Sequence, residues 1–143
     1  MISEFKDEHF FLSNFFICSV TYNGATYSNN EACFQAQKTL DIEQRKQFES
    51  LDPLEARELG KKITIRPDWD SVKDQIMKEI CQAKFDQNPE LKESLVLTGH
   101  APIIENNNWE DTYWGVVDGK GLNKLGKILM EIRDGYQTNI GWE

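Results

Sequence analysis

Histidine is scarce in this chain, which has only His9 and His100, and its three cysteines, Cys18, Cys33 and Cys81, are widely spaced with no C-x-x-C pair among them. Zinc or iron held by imidazole and thiolate would lack ligands at usable spacing, so only a hard cation on Asp or Glu stays open. A scattered, odd set of cysteines also excludes a disulfide framework, and all three thiols are expected to be buried. Long apolar runs are missing too. Phe15-Phe16-Ile17-Cys18 is far shorter than the roughly 20 residues that cross a bilayer. Met1 leads into Glu4, Lys6, Asp7 and Glu8 rather than into a signal core, so a cytoplasmic protein with no membrane contact is expected.

Positive charge is in short supply, with 16 Lys and Arg against 24 Asp and Glu and a net charge of −8. That balance opposes a non-specific grip on a nucleic-acid backbone, but a small phosphorylated substrate needs only one or two local cations. No G-x-S-x-G, Walker motif or G-x-G-x-x-G after a strand is present, which disfavours serine-hydrolase, P-loop and Rossmann chemistry. No linker, repeat or low-complexity tract divides the 143 residues, whose 39% hydrophobic and 28% charged content is that of one ordinary globular domain.

Residues 17 to 27 predict a hairpin about the Asn23-Gly24 turn. Ser28 or Asn29 caps a helix running to about Leu40, and a second helix covers Glu43 to Ser50. Asp52-Pro53-Leu54-Glu55 opens a third, with Gly60 as its stop. The longest helix is expected from Asp70 to Phe85, with Val72, Ile76, Ile80 and Ala83 facing inward and Met77 and Lys84 alongside them. Asn88-Pro89-Glu90 starts another helix, which ends near Gly99, and Ala101 to Ile104 reads as a brief extended segment. A last helix spans Leu122 to Arg133 on a stripe of Leu125, Ile128, Leu129 and Ile132, with Gly135 as its end. The expected fold is mainly α, a compact single-domain helical bundle with a short N-terminal β-hairpin.

Spacings of four and three place Glu31, Gln35 and Lys38 on one helical face, a polar stripe that either meets solvent or holds a sugar-sized ligand. Ser13-Asn14-Phe15 sets polar groups in an aromatic segment, where Asn14 is either a structural hydrogen-bonder or a ligand for hydroxyls. Asp111-Thr112-Tyr113-Trp114-Gly115 joins an acid, an aromatic platform and a glycine, a set suited to a heterocycle beside a ribose, with Trp114 as core the competing reading. Asp118-Gly119-Lys120-Gly121-Leu122-Asn123 reads equally as a phosphate cradle before the last helix or as a tight turn and cap. Trp69 is either core or a stacking surface for a base.

Taken in order, Leu12-Ser13-Asn14-Phe15, Glu31 with Phe34-Gln35-Ala36-Gln37-Lys38, Lys84-Phe85, Thr98-Gly99, Glu105, Trp114-Gly115 and Gly121-Leu122-Asn123-Lys124-Leu125-Gly126 with Leu129-Met130 and Arg133 resemble the YbiA-like or NADAR family over nearly the whole chain. The resemblance implies N-glycosidase activity on a ribose C1–N bond, either in ribosylamino-pyrimidine phosphates of riboflavin synthesis or in ADP-ribosylated guanine, with no cofactor and no obligate protein partner. A non-catalytic module that binds ADP-ribose or a related nucleotide is the third reading. The family's Glu and Lys fall on Glu31 and Lys38, and its ligand-binding Asn on Asn14. Where the family often has His after that Glu, this chain has Ala32.

Glu31 is thus expected to stabilise charge at C1 or to activate water, and Lys38 either to form a Schiff base or to assist electrostatically. Asp111 or Asp118 would orient hydroxyls or protonate the departing base, with Trp114 stacking on it. Phe15, Gln35, Trp69, Gly115 and Asn123 complete the expected binding set. The nucleic-acid substrate would also need a basic rim, for which Lys84, Lys120 and Lys124 are the candidates.

Overall fold

A two-residue turn builds the one sheet among the described residues. Asn23 and Gly24 both take left-handed backbone angles, φ 50° and 79°, the geometry that a tight hairpin needs. They join β1 (Ile17–Tyr22) to β2 (Ala25–Asn29), paired antiparallel from Tyr22↔Ala25 to Ile17↔Asn29 with an irregularity between Ile17 and Val20. The structure, a computed structural model, describes residues 1–140 and the side chains of 1–138. These residues pack into two units, one of residues 14–89 and one of residues 1–13 with 90–140.

In the first unit, β2 passes into α1 (Asn30–Ala36) with no loop between them. Asn29 ends the strand and caps the helix, accepting from the Ala32 N–H at 2.7 Å while its own amide donates to the Leu51 carbonyl. The helix stops at Ala36 rather than near Leu40. The Gln37 side chain donates to the Cys33 carbonyl, the acceptor that the next backbone N–H would use, and the N–H groups of residues 37 to 39 turn back to carbonyls three residues earlier.

The second helix, α2 (Ile42–Lys46), is shorter than expected and continues as tight turns that bury Phe48. The helix α3 (Pro53–Gly60) has the full capping box between Asp52 and Glu55. Its Gly60 is the last helical residue, and its role is a close approach: a Cβ there would lie 2.0 Å from Gln35 Oε1. The long helix α4 (Trp69–Gln87) buries Ile76, Met77, Ile80, Cys81 and Phe85, with Val72 and Ala83 only half-buried. It is tied to β1 by paired hydrogen bonds between Gln87 and the Thr21 backbone. Lys84 is also buried on this helix, and Cys18 is half-buried rather than buried.

In the second unit, a 3-10 turn spans Asp7–Leu12, and Ile2 pairs with Ile103 as a parallel bridge within the short extended segment. The helix α5 (Pro89–Leu97) closes at Gly99, whose φ is 67°. The final helix α6 (Lys124–Ile140) runs past Gly135, because Tyr136, one turn after Ile132, is also buried and extends the apolar stripe. Its Arg133 is buried and donates to Thr98 Oγ1 and to the Ala101 carbonyl. No helix among the described residues is long and apolar enough to cross a membrane.

Candidate active site

Glu31 sits in the first turn of α1, where its backbone N–H donates to the Asn14 carbonyl at 3.0 Å. A carboxylate suits this end of a helix. Gln35, one turn on, donates to Glu31 Oε1 at 3.2 Å, and Arg57 of α3 brings Nε to 3.9 Å of the same oxygen. The Glu31 side chain is only 12% exposed, and that of Arg57 34%. Arg57 also lies over the ring of Phe15, 4.7 Å from its centroid, so one guanidinium joins an aromatic face to a shielded carboxylate.

The Gln35 carboxamide is fixed by its surroundings as well as by Glu31. Its Oε1 is buried without a hydrogen-bond donor and lies in the space left by the missing Cβ of Gly60. Asn14 accepts from Asn30 Nδ2 at 3.1 Å and directs its own amide at Met77 Sδ. Asn14, Phe15, Glu31 and Gln35 are therefore one connected group in the first unit.

Lys38 lies just beyond α1, on the tightened turn, so the stripe expected along one helix is a helix plus a turn. Burial pulls its pKa below the usual lysine value, an effect opposed by the Glu31 carboxylate and reinforced by Lys73. Lys38 is thus within the electrostatic reach of Glu31 and gives up its proton more readily than a solvated lysine. Trp69 is almost covered and packs tilted on Phe34, ring centroids 5.0 Å apart.

Asp111, Trp114, Gly115, Asp118 and Asn123 belong to the second unit. Asp111 Oδ1 accepts from the N–H groups of Tyr113 and Trp114, fixing the turn in which Trp114 meets Tyr113 edge to face. Gly115 passes so close to the Glu105 carbonyl that a Cβ would lie 2.3 Å from it. Asn123 is buried, accepting from the Glu105 N–H and donating to the Ile103 carbonyl. Asp118 is exposed in the turn between Val117 and Lys120.

The stretch from 118 to 123 is a turn and cap. The N–H groups of Leu122, Asn123, Lys124 and Leu125 already reach carbonyls of residues 112 to 115, so they form no phosphate cradle. The basic rim also loses a member, because Lys84 is only 1% exposed. Its ammonium lies near the rings of Phe16 and Phe85. Among the described residues, no cluster of three or more His, Cys, Asp or Glu is placed to hold a metal ion.

Arg57 is the member of this group that sequence reasoning missed. Its contacts with Phe15 and Glu31 join α3 to residues far away in the chain, and no local spacing announces them. The only available signal was a cation in the amphipathic Pro53–Gly60 helix.

The NADAR domain family model matches residues 2–136. N-glycosidase YbiA of Escherichia coli is 37% identical over 133 residues, which cover 90% of this chain and 82% of that protein. A riboflavin biosynthesis protein of Vibrio vulnificus is 36% identical over 137 residues, 93% of this chain but 37% of that one. The NMR structure of E. coli YbiA matches with a TM-score of 0.85 at 34% identity, covering 97% of this chain and 86% of that one. These matches take in both units, and the mainly helical fold with its N-terminal hairpin is that of YbiA. The chain belongs to the NADAR family, and it is a glycosidase of that family's N-glycosidase kind.

Proposed function

We propose that this chain hydrolyses the ribose C1–N bond of ribosylamino-pyrimidine phosphates, the intermediates of riboflavin synthesis. The observation that carries the proposal is the shielded Glu31 carboxylate, clamped by Gln35 and Arg57 within the electrostatic reach of Lys38. The Vibrio relative is named for riboflavin biosynthesis, which supports that pathway, and the net charge of −8 suits a small substrate better than a nucleic acid.

As the C1–N bond lengthens, positive charge grows on the sugar and the electron pair moves to the departing nitrogen. A carboxylate held out of water stabilises that charge more strongly than a solvated one, and it can take a proton from the incoming water. The nitrogen leaves as the amine, so one water is consumed and its parts are divided between ribose and base. Lys38 supports a second route. With its pKa lowered, a larger share of neutral amine is present to attack C1 of the opened sugar, expel the base and form an imine that water then cleaves.

Incubation of the purified protein with a ribosylamino-pyrimidine phosphate should release the free base by mass spectrometry, and ADP-ribosylated guanine in DNA should not react. The reverse pattern would overturn the substrate assignment. Glu31→Gln should lower turnover by about a hundredfold or more, the scale of a lost general base, while leaving binding in place. Full activity in that variant would remove Glu31 from the chemistry. Borohydride should trap an adduct on Lys38 if the imine route operates, and an active enzyme that gives no adduct leaves only the carboxylate route.

A further inference from the structure

Within the unit of residues 1–13 and 90–140 there is a pocket of about 370 Å³, lined by that unit's residues alone, including Glu4, Lys6, Ser13, Glu105 and Trp109. Its size is within the range that encloses a small organic ligand. Its wall is firmly built. Asn107 accepts from the N–H groups of Trp109 and Asp111 and donates to the Asp111 carbonyl, and Asn106 donates to the Ser3 carbonyl. The neighbouring backbone comes this close because residue 115 is glycine: a Cβ there would lie 2.3 Å from the Glu105 carbonyl and 2.6 Å from Asn107 Nδ2. Asn123 holds the Glu105 N–H from the other side.

This scaffold holds Trp109 beside the pocket with 53% of its surface exposed. A half-exposed indole on a pinned loop loses little freedom when a flat ring stacks on it, so stacking there is favourable. The remaining lining is rich in acceptors. The Glu4 and Glu105 carboxyl groups, with the asparagine amides at 106 to 108, favour a ring that carries N–H donors, and Lys6, ion-paired to Glu4 at 3.1 Å, adds a cation.

We propose that this pocket binds an amino-substituted pyrimidine or closely related heterocycle, with its face on Trp109 and its amino groups donating to Glu105. The choice of ring rests on the proposed function, whereas the pocket and its lining do not. The placement gives Gly115 and Asn123 a role as the residues that set Glu105 and the Asn107 turn in position.

Calorimetric titration of the full chain with 2,4-diaminopyrimidine, and with unsubstituted pyrimidine as a ring with no N–H donor, tests the inference. Diaminopyrimidine should bind the unmodified chain and Glu31→Gln alike. Trp109→Ala should weaken it about tenfold, the usual loss for a removed stacking partner, and Trp109→Phe should keep most of the affinity. Glu105→Gln should reduce the preference over pyrimidine. Because Trp109 is exposed, its variants should melt with the parent. Equal affinity in the parent and Trp109→Ala, or equal binding of pyrimidine and diaminopyrimidine by the parent, would overturn the pocket. An active Glu31→Gln variant with Trp109-dependent binding would instead overturn the catalytic reading and leave the pocket standing.

Discussion

Arg57 lies between the Phe15 ring and the Glu31 carboxylate, and its removal takes away a cation that favours the ionised acid. Arg57→Met should lower kcat/KM, as read from initial rates at one fixed pH. An unchanged kcat/KM would show that the guanidinium does not act on Glu31. Ala32, directly after Glu31, has no exposed surface. Ala32→His should therefore destabilise the fold by about 1–3 kcal/mol through overpacking, measured by urea unfolding, and should not raise turnover. At this scale the Glu31–Gln35 contact was legible as a four-residue helical spacing. The Arg57 contact and the depressed Lys38 were not, since both arise from tertiary burial.

The helix α3 acts through its two ends. Asp52 and Glu55 close its N-terminus reciprocally, and Asp52→Ala should remove about 1 kcal/mol of stability in denaturant titration. At the other end, Gly60→Ala offers better helix propensity but places a methyl where Gln35 Oε1 now lies. The Gln35 amide must then move away from Glu31, so turnover should fall by more than any change in stability explains. Steady-state kinetics beside a melting curve would separate the two. The hairpin, the capping box and the starts of α3 and α5 could be read from sequence because local chemistry decides them. The ends of α1 and α6 could not, because Gln37 takes a backbone acceptor in one and burial of Tyr136 outweighs a glycine in the other.

Across the whole chain, the acidic balance coexists with one wholly buried amine. Desolvation pulls Lys84 from the usual 10.5 to about 8, despite opposing contributions from Cys18 and Cys81. Between about pH 8 and 10.5 the unfolded chain holds a proton at this site that the folded chain has released, so this group makes stability rise with pH through that window. The rise should be on the order of 3 kcal/mol and should be missing in Lys84→Met, as measured by urea unfolding at pH 7.5, 9 and 10.5. Sequence alone set Lys84 beside the inner face of its helix and also made it a candidate for a basic rim, and burial decides for the former, although lysine is almost never fully buried. The family resemblance could be read across the full length, since it rests on many weak blocks in fixed order and on no single contact.

The direct splice of β2 into α1 through Asn29 leaves the proposed carboxylate no slack. A loop would absorb an inserted residue, but here one extra residue between Asn29 and Asn30 would rotate the helix by about 100° about its axis and swing Glu31 away from Arg57. Side-chain exchange in this segment should therefore be tolerated better than any change in its length. An insertion scan should find that junction among the least tolerant positions in the chain, while the turn at Asp118 accepts the same insertion with its fold intact.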